Sequence, residues 1–215
     1  MHKIFNRSTI NWAIGLLLNG IGICLCTKSG MGLSMIAASP YILHVWAEAH
    51  LGSFFTQGVC EYMFEAILLA ITCVIIRKFR PKYLLSFLTA VVLGIIIDGF
   101  YIPLQGSAVY AGWPMRIGAL ILGMLTSSAG VAFFFRTKMP LEVYELTVTE
   151  ISLRYGYVKE KVKFWFDVIM LATSLLLALV LNRSLAGFGI GTVIMTVCNA
   201  PLIALAGKAI DAVEK

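Results

Sequence analysis

The sequence predicts an all-α polytopic membrane protein: six transmembrane helices arranged as two inverted three-helix repeats, each carrying a short re-entrant or interfacial helix. Three observations predict it. The 215 residues are 60% hydrophobic and only 13% charged, with a mean hydropathy of +0.89, far from the soluble globular average. Six apolar runs are each long enough to cross a hydrocarbon core, which takes about 20 residues. A shift of 108 positions superposes the start of the chain on its middle.

The first span runs from Thr9 to Thr27 and the second from Phe54 to Ile76, closed by Arg77, Lys78, Arg80 and Lys82. A third covers Tyr83 to Leu104, and Gly106, Gly112 and Pro114 mark the loop after it. The fourth extends from Arg116 to Phe135, before Arg136 and Lys138; the fifth from Val162 to Leu181; the sixth from Phe188 to Ala206. Lys3 and Arg7 ahead of the first run would suit a signal peptide. No small-residue cleavage site follows, however, and Ile23 precedes Cys24 where a lipoprotein signal needs a small residue, so a retained span is expected.

With the N-terminus inside, the Arg77 to Lys82 cluster, the Arg136 to Lys163 loop and the C-terminus also fall inside. Lys28, Arg116 and Arg183 are then the basic residues of the outer loops. This positive-inside pattern places both termini in the cytoplasm. The net charge of +6 is therefore a topology signal, and no nucleic-acid partner is expected. The five cysteines (24, 26, 60, 73 and 198) lie in apolar stretches and read as packing residues.

Two segments fit neither span nor ordinary loop. Gly32 to His50 is apolar and interrupted by Pro40, which suits partial entry into the membrane. In Pro140 to Tyr157, Leu141, Tyr144, Val148, Ile151 and Tyr155 recur at helical spacing opposite Glu142, Glu145 and Thr149, which suits an interfacial helix. These two segments are the symmetry mates of the repeats, which run from about residue 9 to 104 and from about 116 to 207 within a single transmembrane domain. The 108-residue shift aligns Gly15, Leu17, Gly22, Met31 and Leu33 with Gly123, Leu125, Gly130, Met139 and Leu141, five identities in the 22 positions from Ala13 to Ser34. Three spans per half is an odd number, so the second half is inverted, and such repeats place a solute site at their interface.

The glycine-rich first span leads into Gly30-Met31-Gly32-Leu33, with Ser39-Pro40 after it, Met139-Pro140-Leu141 as a counterpart and Gly189-Ile190-Gly191-Thr192 before the last span. In these features the chain resembles the YczE/YitT-like bacterial integral membrane proteins. The acidic residue usual after the proline is absent; Tyr41 and Glu142-Val143 stand in that area. The resemblance implies a protein of the bacterial cytoplasmic (inner) membrane with a transport function.

Gln57, Glu61 and Glu65 share one face of the second span, and Thr72 extends that face. Ionisable side chains inside a bilayer are costly and generally face a bundle interior or a water-filled path. These glutamates are therefore the leading candidates to bind a cationic or zwitterionic ligand or to carry protons. The competing reading is a polar seam, with the glutamates bonded to residues such as Asn19. Asn199, before Pro201, and Asn19 are candidates to orient a ligand. Asp167 is a candidate counterpart of Glu65, or a partner of Lys161 or Lys163, and His44 reads as an ordinary wet histidine. Asp98 is expected to pair with Arg116, and Pro40 and Pro140 to break the two short segments that gate the site. Gly187-Phe188-Gly189-Ile190-Gly191-Thr192 follows no strand, so close helix packing accounts for it better than a nucleotide loop.

No metal-ligand cluster, cofactor motif or nucleophile-base pair is seen, and enzymatic activity is not expected. The function expected is transport of a small polar or zwitterionic solute across the bilayer, with proton coupling compatible with the carboxylates. Two alternatives remain: the substrate-binding subunit of a vitamin-importing ATPase complex, and a non-transporting membrane accessory protein. Glycine-rich faces leave a homodimer open.

Overall fold

A computed structural model describes residues 2–104, 112–183 and 187–213; Gly106 lies outside them. The described residues form eight α-helices and no strand: α1 His2–Ser29, α2 Met35–Leu51, α3 Gln57–Ile76, α4 Tyr83–Tyr101, α5 Trp113–Phe134, α6 Val143–Tyr155, α7 Lys159–Leu177 and α8 Ile190–Val213. Six of them, α1, α3, α4, α5, α7 and α8, are long and apolar enough to cross a membrane. The chain is a multi-pass membrane protein.

Local chemistry sets the helix boundaries. Thr56 caps α3, its hydroxyl accepting from the Val59 amide at 3.1 Å, and Arg77 ends α3 in the left-handed region. Hence α3 starts at Gln57, three residues after the expected Phe54. Gly112 precedes α5, whose first turn holds Pro114, where a missing amide proton costs nothing. Pro103 converts the end of α4 into a short 3-10 turn, Ile102–Leu104. The last turn of the fifth span widens into a π-turn, Ala178–Asn182. α1 begins at His2, ahead of the apolar run itself.

The short segments are both helical. α2 continues through Pro40, so the expected break is absent. The ring removes one backbone hydrogen bond near the start of the helix, and the remaining bonds hold it together. Pro140 lies in the stretch ahead of α6 rather than inside a helix. Each short helix ends on a glycine with positive φ, Gly52 at 109° and Gly156 at 70°.

The chain groups into two compact units that alternate along the sequence. The first comprises residues 1–34, 96–139 and 187–215, and its centre is the crossing of α1 with α5. There the glycines are obligatory: a Cβ on Gly22 would lie 2.5 Å from the Ser127 amide nitrogen and 2.7 Å from the Gly123 carbonyl oxygen. One on Gly130 would lie 2.6 Å from the Asn19 nitrogen and 2.7 Å from the Gly15 oxygen. Because Gly15 meets Gly130 while Gly22 meets Gly123, the two helices run antiparallel. In the same unit the Gly189 backbone packs directly on Met31, the Leu33 amide donates to the Gly187 carbonyl at 3.0 Å, and the Gly191 amide donates to the Met31 carbonyl at 2.8 Å. Close packing is thus what the late glycine run provides.

The second unit comprises residues 35–95 and 140–186. Here α6 lies along α3 and α7, α2 packs against α3 and α7, and α3 meets α4 where Gly58 faces Gly94. Two hydroxyl pairs tie these helices: Ser39 to Ser174 at 2.6 Å and Thr72 to Thr147 at 2.8 Å, all four side chains buried. At the start of α4, the buried Glu150 of α6 receives Arg80 at 3.5 Å and Lys82 at 3.3 Å.

Substituting Gly22 by Leu should lower stability by about 1–3 kcal/mol or more, because backbone at the crossing cannot yield to a side chain. Gly118→Ala, where nothing lies within 4 Å of the new Cβ, should leave the melting temperature unchanged or slightly raised. Thermal unfolding of both variants in detergent checks the contrast.

Candidate functional site

The second unit assembles the expected glutamates into a defined corner. Positions 57, 61 and 65 recur every turn of α3, so Gln57, Glu61 and Glu65 present one face, and all three are buried. That face meets the first turn of α6. The Val143 amide donates to Glu65 Oε2 at 3.0 Å, and the Tyr144 hydroxyl donates to Glu61 Oε1 at 3.4 Å. α6 has no side-chain cap of its own, since the Glu142 side chain makes no capping bond. Glu65 therefore caps α6 from another helix, a placement favoured because helix N-termini carry partial positive charge.

The second oxygen of each carboxylate, Glu61 Oε2 and Glu65 Oε1, is buried and receives no hydrogen bond among the described residues. Glu61 is 1% exposed and Glu65 0%. Glu142 is close enough to act electrostatically on both. Burial, with the charges of Glu61, Glu65 and Glu142 behind it, raises the Tyr144 phenol well above its ordinary value, so it remains a hydroxyl donor. Tyr144, which bonds Glu61, belongs to an apolar cluster with Val148, Phe166 and Met170, against which Phe64 and Leu68 pack.

Further along α7, Asp167 sits 3.3 Å from Lys163, which also reaches Glu145 at 3.1 Å. The pairing of Asp167 with Lys163 is one of the two expected roles. Thr72 ends the polar face of α3 in its hydroxyl pair with Thr147.

Asn19 and Asn199 belong to the first unit and have partners there. Asn19 Oδ1 accepts from Ser127 at 2.7 Å, and Asn199 Oδ1 accepts from Ser128 at 3.0 Å. Arg116, expected to meet Asp98, instead donates Nε to the Ser29 carbonyl at 2.7 Å and Nη2 to the Gly30 carbonyl at 2.8 Å. The carbonyls at the end of α1 need donors, and a guanidinium supplies several in a fixed fork. His44 is buried rather than wet: Nδ1 lies 2.7 Å from the Phe55 carbonyl and Nε2 3.5 Å from Glu48.

Tyr144 was legible only as one member of an amphipathic stripe, and nothing in its spacing singles it out as the partner of Glu61. The signal available was chemical: a tyrosine on the apolar face of a short helix carries a hydroxyl that must find a partner when buried.

A profile of the DUF6198 family, a family of unknown function, matches residues 6–208. The chain belongs to the DUF6198 family. It is 27% identical over 190 residues to the uncharacterized protein YyaS of Bacillus subtilis (strain 168), covering 87% of this chain and 85% of that protein. Neither match carries the YczE/YitT name. No solved structure matches.

Glu65→Ala leaves the Val143 amide buried without its acceptor and should cost about 1–3 kcal/mol. Glu65→Gln keeps a carbonyl oxygen in the same place and should cost less than half as much. Comparison of the two unfolding curves under one detergent condition tests whether capping of α6 is the structural role of Glu65.

Proposed function

We propose that this DUF6198 protein is a membrane transporter of a small polar or zwitterionic solute, with Glu61 and Glu65 reading the charge of that solute or carrying a proton for it. The observation that carries this reading is the carboxylate pair, each member with one oxygen engaged by α6 and one buried oxygen without a donor among the described residues. A seam that existed only to join helices would gain nothing from such oxygens, since buried acceptors without partners destabilise a fold.

The inverted-repeat reading is part of this proposal, and contacts within each unit support it. Under the 108-residue offset, Gly15 and Gly123 exchange places, as do Asn19 and Ser127, and Gly22 and Gly130. The contact of Gly15 with Gly130 is then the mate of that between Gly22 and Gly123, and Asn19 meets its own counterpart. Ser29 and Thr137 also correspond, and each hydroxyl accepts from the amide two residues later, Met31 at 3.2 Å and Met139 at 3.0 Å.

In the second unit, α6 is four residues shorter than α2, at 13 against 17, and the connection after it is two residues shorter. The offset therefore falls to 102 beyond it. Thr72 then corresponds to Ser174 and Ser39 to Thr147, so the two hydroxyl pairs are mates of one another. Antiparallel exchange of this kind is what an inverted pseudo-two-fold axis produces, and it provides two related conformations for alternating access. We place the protein in a bacterial cytoplasmic membrane with both termini inside, as its basic residues favour.

Reconstituted in liposomes, the wild type should accumulate a solute from a panel of amines, amino acids and vitamins. Glu61→Gln and Glu65→Gln should each cut the initial rate at least tenfold while retaining a monodisperse fold. No uptake of any panel member, with or without a pH gradient, would overturn the transporter reading.

A further inference from the structure

The charge and bonding pattern of the Glu61–Glu65 corner narrows the solute. Resting on the transporter reading above, we propose that the pair is a binding site for a small organic ammonium ion, and that the ammonium and protons compete for it. Glu61 Oε2 and Glu65 Oε1 are buried acceptors with no donor among the described residues. An ammonium group is their complement, since it carries donors and no acceptor.

The surroundings exclude the other ligand classes. The charged groups acting on the pair are Glu142 from α6 and the two glutamates themselves, with the Tyr144 hydroxyl the titratable group bonded to Glu61. Among the described residues no lysine, arginine or histidine of α2, α4 or α7 acts on the pair, although Lys163 of α7 lies 5.7 Å from the centroid of the Phe166 ring. Lys163 is committed to Glu145 and Asp167, and Arg80 and Lys82 to Glu150. The carboxylate of a zwitterion would find no uncommitted cation among the described residues of this corner and would face three carboxyl groups, while the one α6 amide bonded in this corner is already held by Glu65. A metal ion fares no better, because no group of three His, Cys, Asp or Glu side chains among the described residues is placed to hold one.

The apolar cluster around Tyr144 supplies the rest of the recognition. Tyr144 and Phe166 meet edge to face at 6.4 Å, with Phe64 and Met170 in the same cluster. Aromatic faces attract cations, and the apolar side chains take the carbon portion of an organic ion in preference to a bare inorganic one. In the absence of a ligand the low-dielectric corner cannot hold adjacent unpaired negative charges, so protons fill the place of the cation. Loading one ammonium then releases a proton from a carboxyl group to water, and the ammonium takes its place as counter-ion.

Isothermal titration of the purified full-length protein with n-butylammonium, and with 4-aminobutanoate as its zwitterionic relative, tests this directly. n-Butylammonium stays charged between pH 5.5 and pH 8, as any simple alkylammonium does (ordinary value about 10.4 for lysine), so protons released come from the protein. The expected result is saturable n-butylammonium binding whose Kd rises about tenfold per pH unit lowered, as one-for-one proton competition requires. Titrations in buffers of different ionisation enthalpy should count close to one proton released, and 4-aminobutanoate should bind at least tenfold more weakly.

Glu61→Gln or Glu65→Gln should abolish the proton release. Should either fail to fold, the wild-type proton count decides alone. Equal binding of 4-aminobutanoate, or ammonium binding without proton release, would overturn this inference and leave the transporter reading standing. Binding and uptake of neither class, nor of any other panel solute, would overturn both.

Discussion

A helix that starts or stops within an apolar medium leaves backbone donors or acceptors that water cannot reach, and side chains of this chain answer that constraint at several such ends. Glu65 of α3 takes the first amide of α6. Arg116 of α5 donates to the carbonyls at the end of α1. Arg136, just past α5, donates to the Ala132 carbonyl in the last turn of α5 at 2.8 Å while gripping Asp211 of α8 at 2.7 Å. Charged residues that a hydropathy profile counts as interruptions are thus the groups that let short and broken elements exist in this chain.

The same constraint explains the small residues. Without a hydrophobic driving force between helices in lipid, association depends on close approach and on polar side chains that pair across the contact. The α1–α5 crossing uses both: glycines at 15, 22, 123 and 130 bring the backbones together, and Asn19 with Ser127 bonds at the centre. The hydroxyl pairs Ser39–Ser174 and Thr72–Thr147 do the equivalent service in the second unit. Each hydroxyl there also lies on a helix whose own backbone supplies further acceptors, as with Thr72 to the Leu68 carbonyl at 2.8 Å and Ser174 to the Met170 carbonyl at 2.8 Å.

The six spans were legible because hydropathy reports a bulk property that survives any detail of packing. The stripe of Gln57, Glu61 and Glu65 was legible because helical periodicity alone puts them on one face. What periodicity lacks is the identity of the partner. It could not tell that Arg116 would answer orphan carbonyls rather than Asp98, or that Asn19 and Asn199 would bond to Ser127 and Ser128 within the first unit. Nor could it tell that α2 would run straight through Pro40, a residue that breaks helices only when the bonds around it cannot compensate. The alternation of the two compact units along the chain was hidden for a further reason: grouping in space follows pairwise packing, whereas a repeat read from sequence follows chain order.

The proposed repeat makes the glutamate corner informative through what its mate contains. With the offset of 102 that aligns Thr72 with Ser174, Glu61 corresponds to Lys163 and Glu65 to Asp167. At that second corner the chain supplies a cation of its own, Lys163 lying 3.1 Å from Glu145 and 3.3 Å from Asp167. At the first, the carboxylate is kept at both positions, the lysine is replaced by Glu61, and Glu142 adds to the same sign. Two corners built on one plan thus differ by the cation, present as a side chain in one and absent from the other. A polar seam needed only for assembly would be served by the version that carries its own lysine, since breaking up a buried pair leaves an uncompensated charge at substantial cost. Retention of the uncompensated version in one half is accounted for when the missing positive charge is supplied from outside the chain, by protons or by a bound ammonium.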